Sequence, residues 1–450
     1  MMRLSEAAKA LGSAWVGEDA LFASVGTDSR AIEKNQLFVA LKGEKFDGHA
    51  YAAQALAQGA AAVMVSQFSS VDGLNAALIV EDTYQALGQL AAVWRGKFTA
   101  PVVGVTGSNG KTTVKEMVAA ILRAEAGGCE CVLATVGNLN NHIGLPLTLL
   151  KLREHHRYAV VEMGMNHRGE IRYLTHIAKP DVVVINNAGN AHLGELGSYE
   201  AIAEAKGEIL EGLNAGGIAI LNADDQFFPL WKDLANGKKI ISFGLQKKAD
   251  VWADYHLQSA ASTMKIHTPQ GFVSIQLPVP GLHNVMNALA AVATALALEV
   301  SFVSIKAGLE NFCPAKGRLQ VLQGMRGAKV IDDTYNANPM SMRAAINVLQ
   351  ACVGKRILVL GDMGELGEDA PAMHREVGEY AKHAGIEALY SLGDLSAEMT
   401  NGFGAGARHY AELEALLEDL KKNLQTDTTV LVKGSRFMAM ERVVKAIVAV

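Results

Sequence analysis

Charge is scarce in this 450-residue chain. Only 19% of the residues are Asp, Glu, Lys or Arg, and the formal net charge is −5. No basic tract rises above that background, so nucleic acid is excluded as an expected partner. Long apolar runs are also missing. The run 288–298 falls short of the ~18 residues that a membrane span needs, and the chain is not expected to be membrane-embedded. The opening stretch MMRLSEAAKALG carries Glu6 and Lys9 where a signal peptide needs an apolar core. A cytoplasmic protein is therefore expected. Cysteine is rare: Cys129, Cys131, Cys313 and Cys352 fit a reducing compartment as free thiols. Cys129 and Cys131 could share a metal, but no second cluster completes a site, and a structural role is the simpler reading. No repeat of fixed period and no low-complexity linker is present.

What is abundant points to packed α/β structure. Half of the residues are apolar and 44 are glycine. The chain is too long for one ordinary core, so several domains are expected. Residues 1–82 are rich in alanine, with short β runs at 36–40, 62–65 and 77–80. Residues 83–313 open with a helical pattern at 84–97. Apolar strands follow at 158–162, 181–186 and 217–222, each ending in a small or polar residue. Residues 314–450 repeat that logic, with strands at 329–331, 356–360, 388–392 and 429–432. Strand and helix alternate, which predicts doubly wound parallel sheets with ligands at the carboxyl ends of their strands.

The most informative stretch is VVGVTGSNGKTTVKEMVAAIL, residues 102–122. A β-branched run ends in a glycine turn, and Lys111-Thr112 open an amphipathic helix. That arrangement suits a nucleoside triphosphate: backbone N–H groups and a helix N-terminus face the phosphates. Lys111 would reach the β/γ-phosphates and Thr112 would ligate Mg²⁺. The strict phosphate-loop pattern places Gly at 105, where this chain has Val105; its glycines are 104, 107 and 110. The plainer alternative is a glycine-rich β–α turn with an incidental lysine.

Other candidates fall at predicted strand ends. Glu162 ends YAVVE and is placed for Mg²⁺, which prefers oxygen donors; a solvated glutamate is the alternative. His192 follows a strand, and Lys206 lies in a helical pattern downstream. Alone, these read as a loop histidine and a surface cation. Asn284 and Asn287 are three apart, on one helical face, and could meet a purine, a phosphate or the helix's own N-terminus. Asp332 and Asp333 could reach a ribose hydroxyl or an amine, while Asn336, Asn338 and Pro339 also suit a capped turn. With the loops at 358–374 and 431–437, three strand ends of the last region converge on one edge.

Taken together, these motifs resemble the Mur ligase family of bacterial cell-wall synthesis over essentially the whole chain. TGSNGKTT (106–113) is similar to the family's TG(T/S)NGKTT, which accounts for the absent glycine at 105. His283, Asn284 and Asn287 match its HN-x-x-N box. Arg318 matches the arginine after its central domain, and Asp333 the nucleotide-facing aspartate. The resemblance implies an N-terminal UDP-substrate domain (1–82), a central ATP-binding domain (83–313) and a C-terminal Rossmann-like domain for an incoming dipeptide (314–450). It places ATP on Gly107, Ser108, Asn109, Gly110, Lys111, Thr112, Thr113, His283, Asn284, Asn287, Arg318 and Asp333.

It further implies Mg²⁺, as two ions, on Thr112, Glu162, His192 and Lys206, with Lys206 carbamylated by CO₂. Lys111, Glu162, His192 and Lys206 form its catalytic set. Segments 137–150, 191–209, 332–342 and 361–368 resemble the branch that joins D-alanyl-D-alanine to UDP-N-acetylmuramoyl-tripeptide through an acyl phosphate. Ser29, Arg30 and His49 would hold the UDP end; Asn140, Asn141, Tyr335, Asn336 and Lys433 would meet the peptide substrates. A monomer is expected. The departures are Ser108 for the commoner Thr and Gly364 where a larger apolar residue is usual. The rivals are another amide ligase of the superfamily, such as a folylpolyglutamate synthase, and a phosphate-loop ATPase whose hydrolysis drives motion.

Overall fold

The computed structural model describes residues 1–66, 73–189 and 196–449. Three α/β units follow one another. In the first, a five-stranded sheet has the order Ala14–Gly17, Ala76–Val80, Ala62–Ser66, Gln36–Val39, Ser24–Gly26, and only its first strand runs antiparallel. The next helix, Thr83–Arg95, starts where the Asp82 carboxylate accepts from the N–H groups of Tyr84 and Gln85. Its Leu87, Leu90 and Trp94 lie in a core shared by Leu37 and Leu78 of the first sheet and Leu145 and Ile171 of the next unit. The helix thus welds the first unit to the second.

The central sheet holds six parallel strands in the order Lys239–Phe243, Ile218–Asn222, Val182–Ile185, Val102–Thr106, Tyr158–Glu162, Val132–Ala134. Strand side chains alternate between faces, and here both faces are buried. Val183 and Ile185 enter one core; Val182 and Val184 enter the other, beneath the helices Lys111–Ala126 and Leu282–Ala297. The alanines of Leu282–Ala297 are almost all buried, and their small size lets this helix lie close to the sheet. A three-stranded antiparallel sheet, Trp252–Leu257, Ser262–Thr268 and Gly271–Leu277, flanks that helix. Sequence reading assigned no strand there.

The last unit has six strands in the order Gln320–Gln323, Lys329–Asp333, Thr428–Lys433, Lys355–Gly361, Ala388–Leu392, Ala407–Tyr410, all parallel except the first. The final strand of the chain is inserted between Lys329–Asp333 and Lys355–Gly361. That reversal of strand order opens a crevice at the carboxyl ends, where Asp333 and Lys433 sit in register. No helix of the described residues is long and apolar enough to cross a membrane.

Candidate functional site

Strand Val102–Thr106 is fully buried, and Val105 is one of its core residues, in register with Glu162. The position lacking the expected glycine therefore belongs to the strand, and the turn proper is 107–110. Gly110 takes φ 80° at the start of helix Lys111–Ala126. A Cβ there would lie 2.4 Å from Asn287 Oδ1 and 2.5 Å from Asn186 Nδ2, so only glycine fits. Two adjacent asparagines hold the turn. The Asn109 N–H donates to Asn187 Oδ1 at 2.8 Å, and Asn186 Nδ2 donates to the Asn109 carbonyl at 2.9 Å. The Gly189 N–H donates to Ser108 Oγ at 2.8 Å. Lys111 Nζ donates to the Gly107 carbonyl at 2.7 Å, folded back over the cradle. Burial lowers its pKa below the ordinary lysine value, with Glu162 opposing that shift.

Glu162 and Thr112 meet beside this turn. Thr112 Oγ1 donates to Glu162 Oε2 at 2.9 Å, and Asn140 Nδ2 donates to Glu162 Oε1 at 2.7 Å. Both Thr112 and Glu162 are buried. A hydroxyl and a carboxylate oxygen side by side are the donor types that Mg²⁺ takes. Among the described residues no three His, Cys, Asp or Glu side chains cluster as a metal cage. His192 lies outside the described residues. Lys206, in helix Tyr199–Gly207, is buried. Burial, and then the charge of Lys111, push its pKa well below the ordinary value.

Two cavities meet at the phosphate turn. The larger, about 560 Å³, is lined by Lys111, Thr112, Asn140 and Glu162 on one side and by Tyr335 and Asn336 on the other. The smaller, about 330 Å³, is lined by Thr113, His283, Asn284 and Asn287 opposite Asp333 and Lys433. Arg318 borders both, its guanidinium 4.0 Å from the centre of the Tyr335 ring. Asn284 does not cap its helix. Gly281 holds that position, and Asn284 Nδ2 donates to the Pro280 carbonyl at 2.8 Å. Desolvation holds the His283 imidazole at about 4, so it is neutral, while Asp333 pulls the other way. Lys433 Nζ donates to Asp333 Oδ2 at 2.6 Å and to the Asn336 carbonyl at 2.9 Å. Burial lowers the Lys433 pKa against the pull of Asp333.

Asn338 links the two units. It caps helix Pro339–Gln350 by accepting from the Ser341 N–H, and its Nδ2 donates to Asn109 Oδ1 at 2.8 Å. The capped-turn reading of this loop thus holds alongside its place at the cleft. The remaining expected residues sit elsewhere. Asn141 Oδ1 accepts from the Gly144 N–H and secures a helix start. Ser29 is buried, and Arg30 is exposed in a two-pronged pair with Asp28. Both ring nitrogens of His49 are engaged, Nδ1 with Asp47 and Nε2 by the Ser66 N–H. None of these three lines either cavity. Sequence reading missed Asn186 and Asn187. Their strand-end position was the available signal, but asparagine pairs at strand ends commonly just turn the chain.

Comparison with known proteins agrees with this geometry. Residues 105–295 match the Mur ligase middle domain, 317–436 the Mur ligase glutamate ligase domain, and 21–95 the Mur ligase family catalytic domain. The chain is 44% identical to the UDP-N-acetylmuramoyl-tripeptide–D-alanyl-D-alanine ligase of Escherichia coli, covering 99% of this chain and 98% of that one. It is 38% identical to the enzyme of the same name from Bacillus subtilis, over 96% and 94%. It superposes on MurF from Acinetobacter baumannii with a TM-score of 0.93, at 38% identity over 99% and 98% of the two chains. MurF from Thermotoga maritima, solved with ADP, gives 0.84 at 29% identity over 95% and 98%. From its sequence and its fold alike, the chain belongs to the Mur ligase family.

Proposed function

We propose that the protein is an ATP-dependent amide ligase that joins D-alanyl-D-alanine to UDP-N-acetylmuramoyl-tripeptide, giving the pentapeptide precursor of peptidoglycan. One observation carries this reading: the carboxyl ends of two parallel sheets face each other across one cleft. They bring Lys111, Thr112 and Glu162 opposite Asp333, Lys433 and Tyr335. A simple phosphate-loop ATPase needs only the first half. The names of the full-length relatives support the choice of substrates. In the division of labour that follows, residues 1–82 bind the UDP end, 83–313 bind ATP and 314–450 bind the dipeptide.

The chemistry runs in two displacements. The terminal carboxylate of the tripeptide attacks the γ-phosphorus of ATP, ADP leaves, and an acyl phosphate forms. The dipeptide amine then attacks the acyl carbon, phosphate leaves, and the amine proton passes to solvent or base. Lys111 and the N–H groups of the turn stabilise charge as it builds on the transferred phosphoryl group. Thr112 and Glu162 would hold Mg²⁺, which neutralises phosphate charge when bound. Neutral His283 with Asn284, Asn287 and Asp333 would seat the nucleoside. Arg318 stands between the two cavities to steady the phosphates. Lys206, whose pKa burial pushes well below the ordinary lysine value, would be the amine that takes up CO₂: its nitrogen adds to carbon, one proton leaves, and a carbamate replaces the amine. Holding the reactants in line, away from water, is the main contribution of the protein.

Trapping the intermediate tests the reading. With ATP, Mg²⁺, acceptor tripeptide and hydroxylamine but no dipeptide, the acceptor hydroxamate should form. Replacing hydroxylamine by D-alanyl-D-alanine should give a product heavier by the dipeptide less water. ATP hydrolysis with neither product would assign the protein to the motion-driving ATPases.

A further inference from the structure

Beside the reaction centre lies a third cavity, of about 520 Å³, that the steps above leave unused. It shares Thr112 and Arg318 with the main cleft. Its far walls come from Lys115 and Asn138 of the central unit and from Lys316 and Glu441 of the last one. Two buried polar atoms on this wall have no hydrogen-bond partner: Arg318 Nε and Glu441 Oε2. Among the described residues only five buried side-chain atoms are in that condition. Two of the five fall in one cavity, and buried polar atoms are otherwise almost always satisfied.

The chemistry of these atoms is complementary. A guanidinium N–H calls for an anion, and a carboxylate oxygen calls for a cationic donor. The other charges have partners inside the wall. Lys115 donates to Glu116 and to the Thr135 carbonyl, and Arg436 holds the other oxygen of Glu441 at 3.1 Å. Lys316, Arg318 and Lys445 then face Asp332 as the only remaining acid of the lining, which leaves an excess of positive charge. The cavity thus has an anion end at Arg318 and Lys316 and a cation-accepting point at Glu441.

We propose that this cavity receives the side arm of the third residue of the acceptor tripeptide. The arm it fits is an amino-carboxylate, with its carboxylate toward Arg318 and Lys316 and its ammonium toward Glu441. The inference rests on the ligase reading and adds a subsite to it. The dipeptide is the poorer occupant. Its amine must be neutral to attack, and the free oxygen of the Glu441 carboxylate would hold it as ammonium. The acceptor, by contrast, must bring its reacting carboxylate to the phosphate turn, where Thr112 also lines this cavity.

Calorimetric binding to the full-length protein without ATP tests the subsite. The probes are UDP-N-acetylmuramoyl-tripeptides ending in meso-diaminopimelate, lysine or norleucine. Affinity should fall in that order, by about tenfold or more from first to last, the scale of one or two charged contacts. Glu441→Gln should erase the preference for lysine over norleucine, and Lys316→Ala the preference for diaminopimelate over lysine. Both variants should keep the wild-type thermal midpoint and KM for ATP. Equal affinity for the three acceptors would overturn the proposal. So would a Glu441→Gln protein that instead loses affinity for D-alanyl-D-alanine. A wild-type enzyme that turns over none of the acceptors rejects the ligase reading itself, whereas equal turnover of all three rejects only the subsite.

Discussion

Lys111 and Lys433 line the cleft, and Lys206 is buried near enough to Lys111 to feel its charge; all three have lowered pKa values, with burial the largest cause for each. Among the described residues, only Lys433 of the three is seated on a carboxylate, that of Asp333. Lys111 instead rests on the carbonyl of Gly107, a neutral acceptor that a phosphate would displace. Lys111→Ala should leave the fold intact, as circular dichroism and the thermal midpoint would show. It should cut ligation by at least about 10²-fold, the cost of losing one preorganised contact to a developing oxyanion. Retained turnover would remove Lys111 from the mechanism.

His283 gives a pH dependence with a definite sign. Its imidazole is held at about 4 in the fold, against 6.5 for the free side chain. Between those values the unfolded chain binds more protons than the native one, so stability rises with pH there and is lost as pH falls. The slope should not exceed about 1.4 kcal/mol per pH unit for one group. Denaturant unfolding of wild type and His283→Asn across that window should differ in slope by up to this amount and converge above it. Parallel curves would mean that the fold does not hold His283 neutral. At this scale much was legible in the sequence. Ser108, Asn109 and Gly110 of the turn, with Glu162, Asn284, Asn287, Asp333 and Lys433, all reach the cleft. Asn141 did not follow, because an asparagine that caps a helix and one that faces a ligand look alike in sequence.

At the scale of elements, the phosphate turn is fixed from two sides. Asn186 and Asn187 hold it from its own sheet, and Asn338 holds its tip from the last unit. Asn338 has two separable jobs: its oxygen caps a helix, and its amide nitrogen reaches Asn109. Asn338→Asp keeps an oxygen for the cap and sets oxygen against oxygen at Asn109. The thermal midpoint should hardly move, and KM for ATP should rise roughly five- to tenfold, the scale of one hydrogen bond replaced by a repulsion. An unchanged KM would show that this contact plays no part in nucleotide binding. The strands of the central and last sheets were mostly readable, because β-branched runs buried on both faces leave near-continuous apolar stretches. The antiparallel strands Trp252–Leu257 and Ser262–Thr268 were not. Only Ala253 of the first is buried, the second buries a single face, and polar residues such as Asp254, His256 and Lys265 break up the apolar signal.

For the whole molecule, the arrangement of the units matters more than any one of them. Helix Thr83–Arg95 locks the first unit to the second through a shared apolar core. At the cleft, the second and third units meet through polar contacts such as Asn109 with Asn338 and Arg318 with Thr112. A polar seam can open and close with ligands, while an apolar weld holds. Sequence pattern foresaw that two parallel sheets would present their carboxyl ends. That they face each other came only from the family resemblance, which put ATP on residues of both units; pattern alone does not reach it, because it depends on contacts between residues more than 200 positions apart, such as Asn109 and Asn338. The central claim is that one cleft joins both halves of the reaction. Its most direct test is phosphate release from ATP and Mg²⁺ with UDP-N-acetylmuramoyl-tripeptide and D-alanyl-D-alanine added singly and together. Steady release is expected only when both are present, in step with amide product. Release that ignores the dipeptide would contradict the account and leave the second sheet without a role in the chemistry.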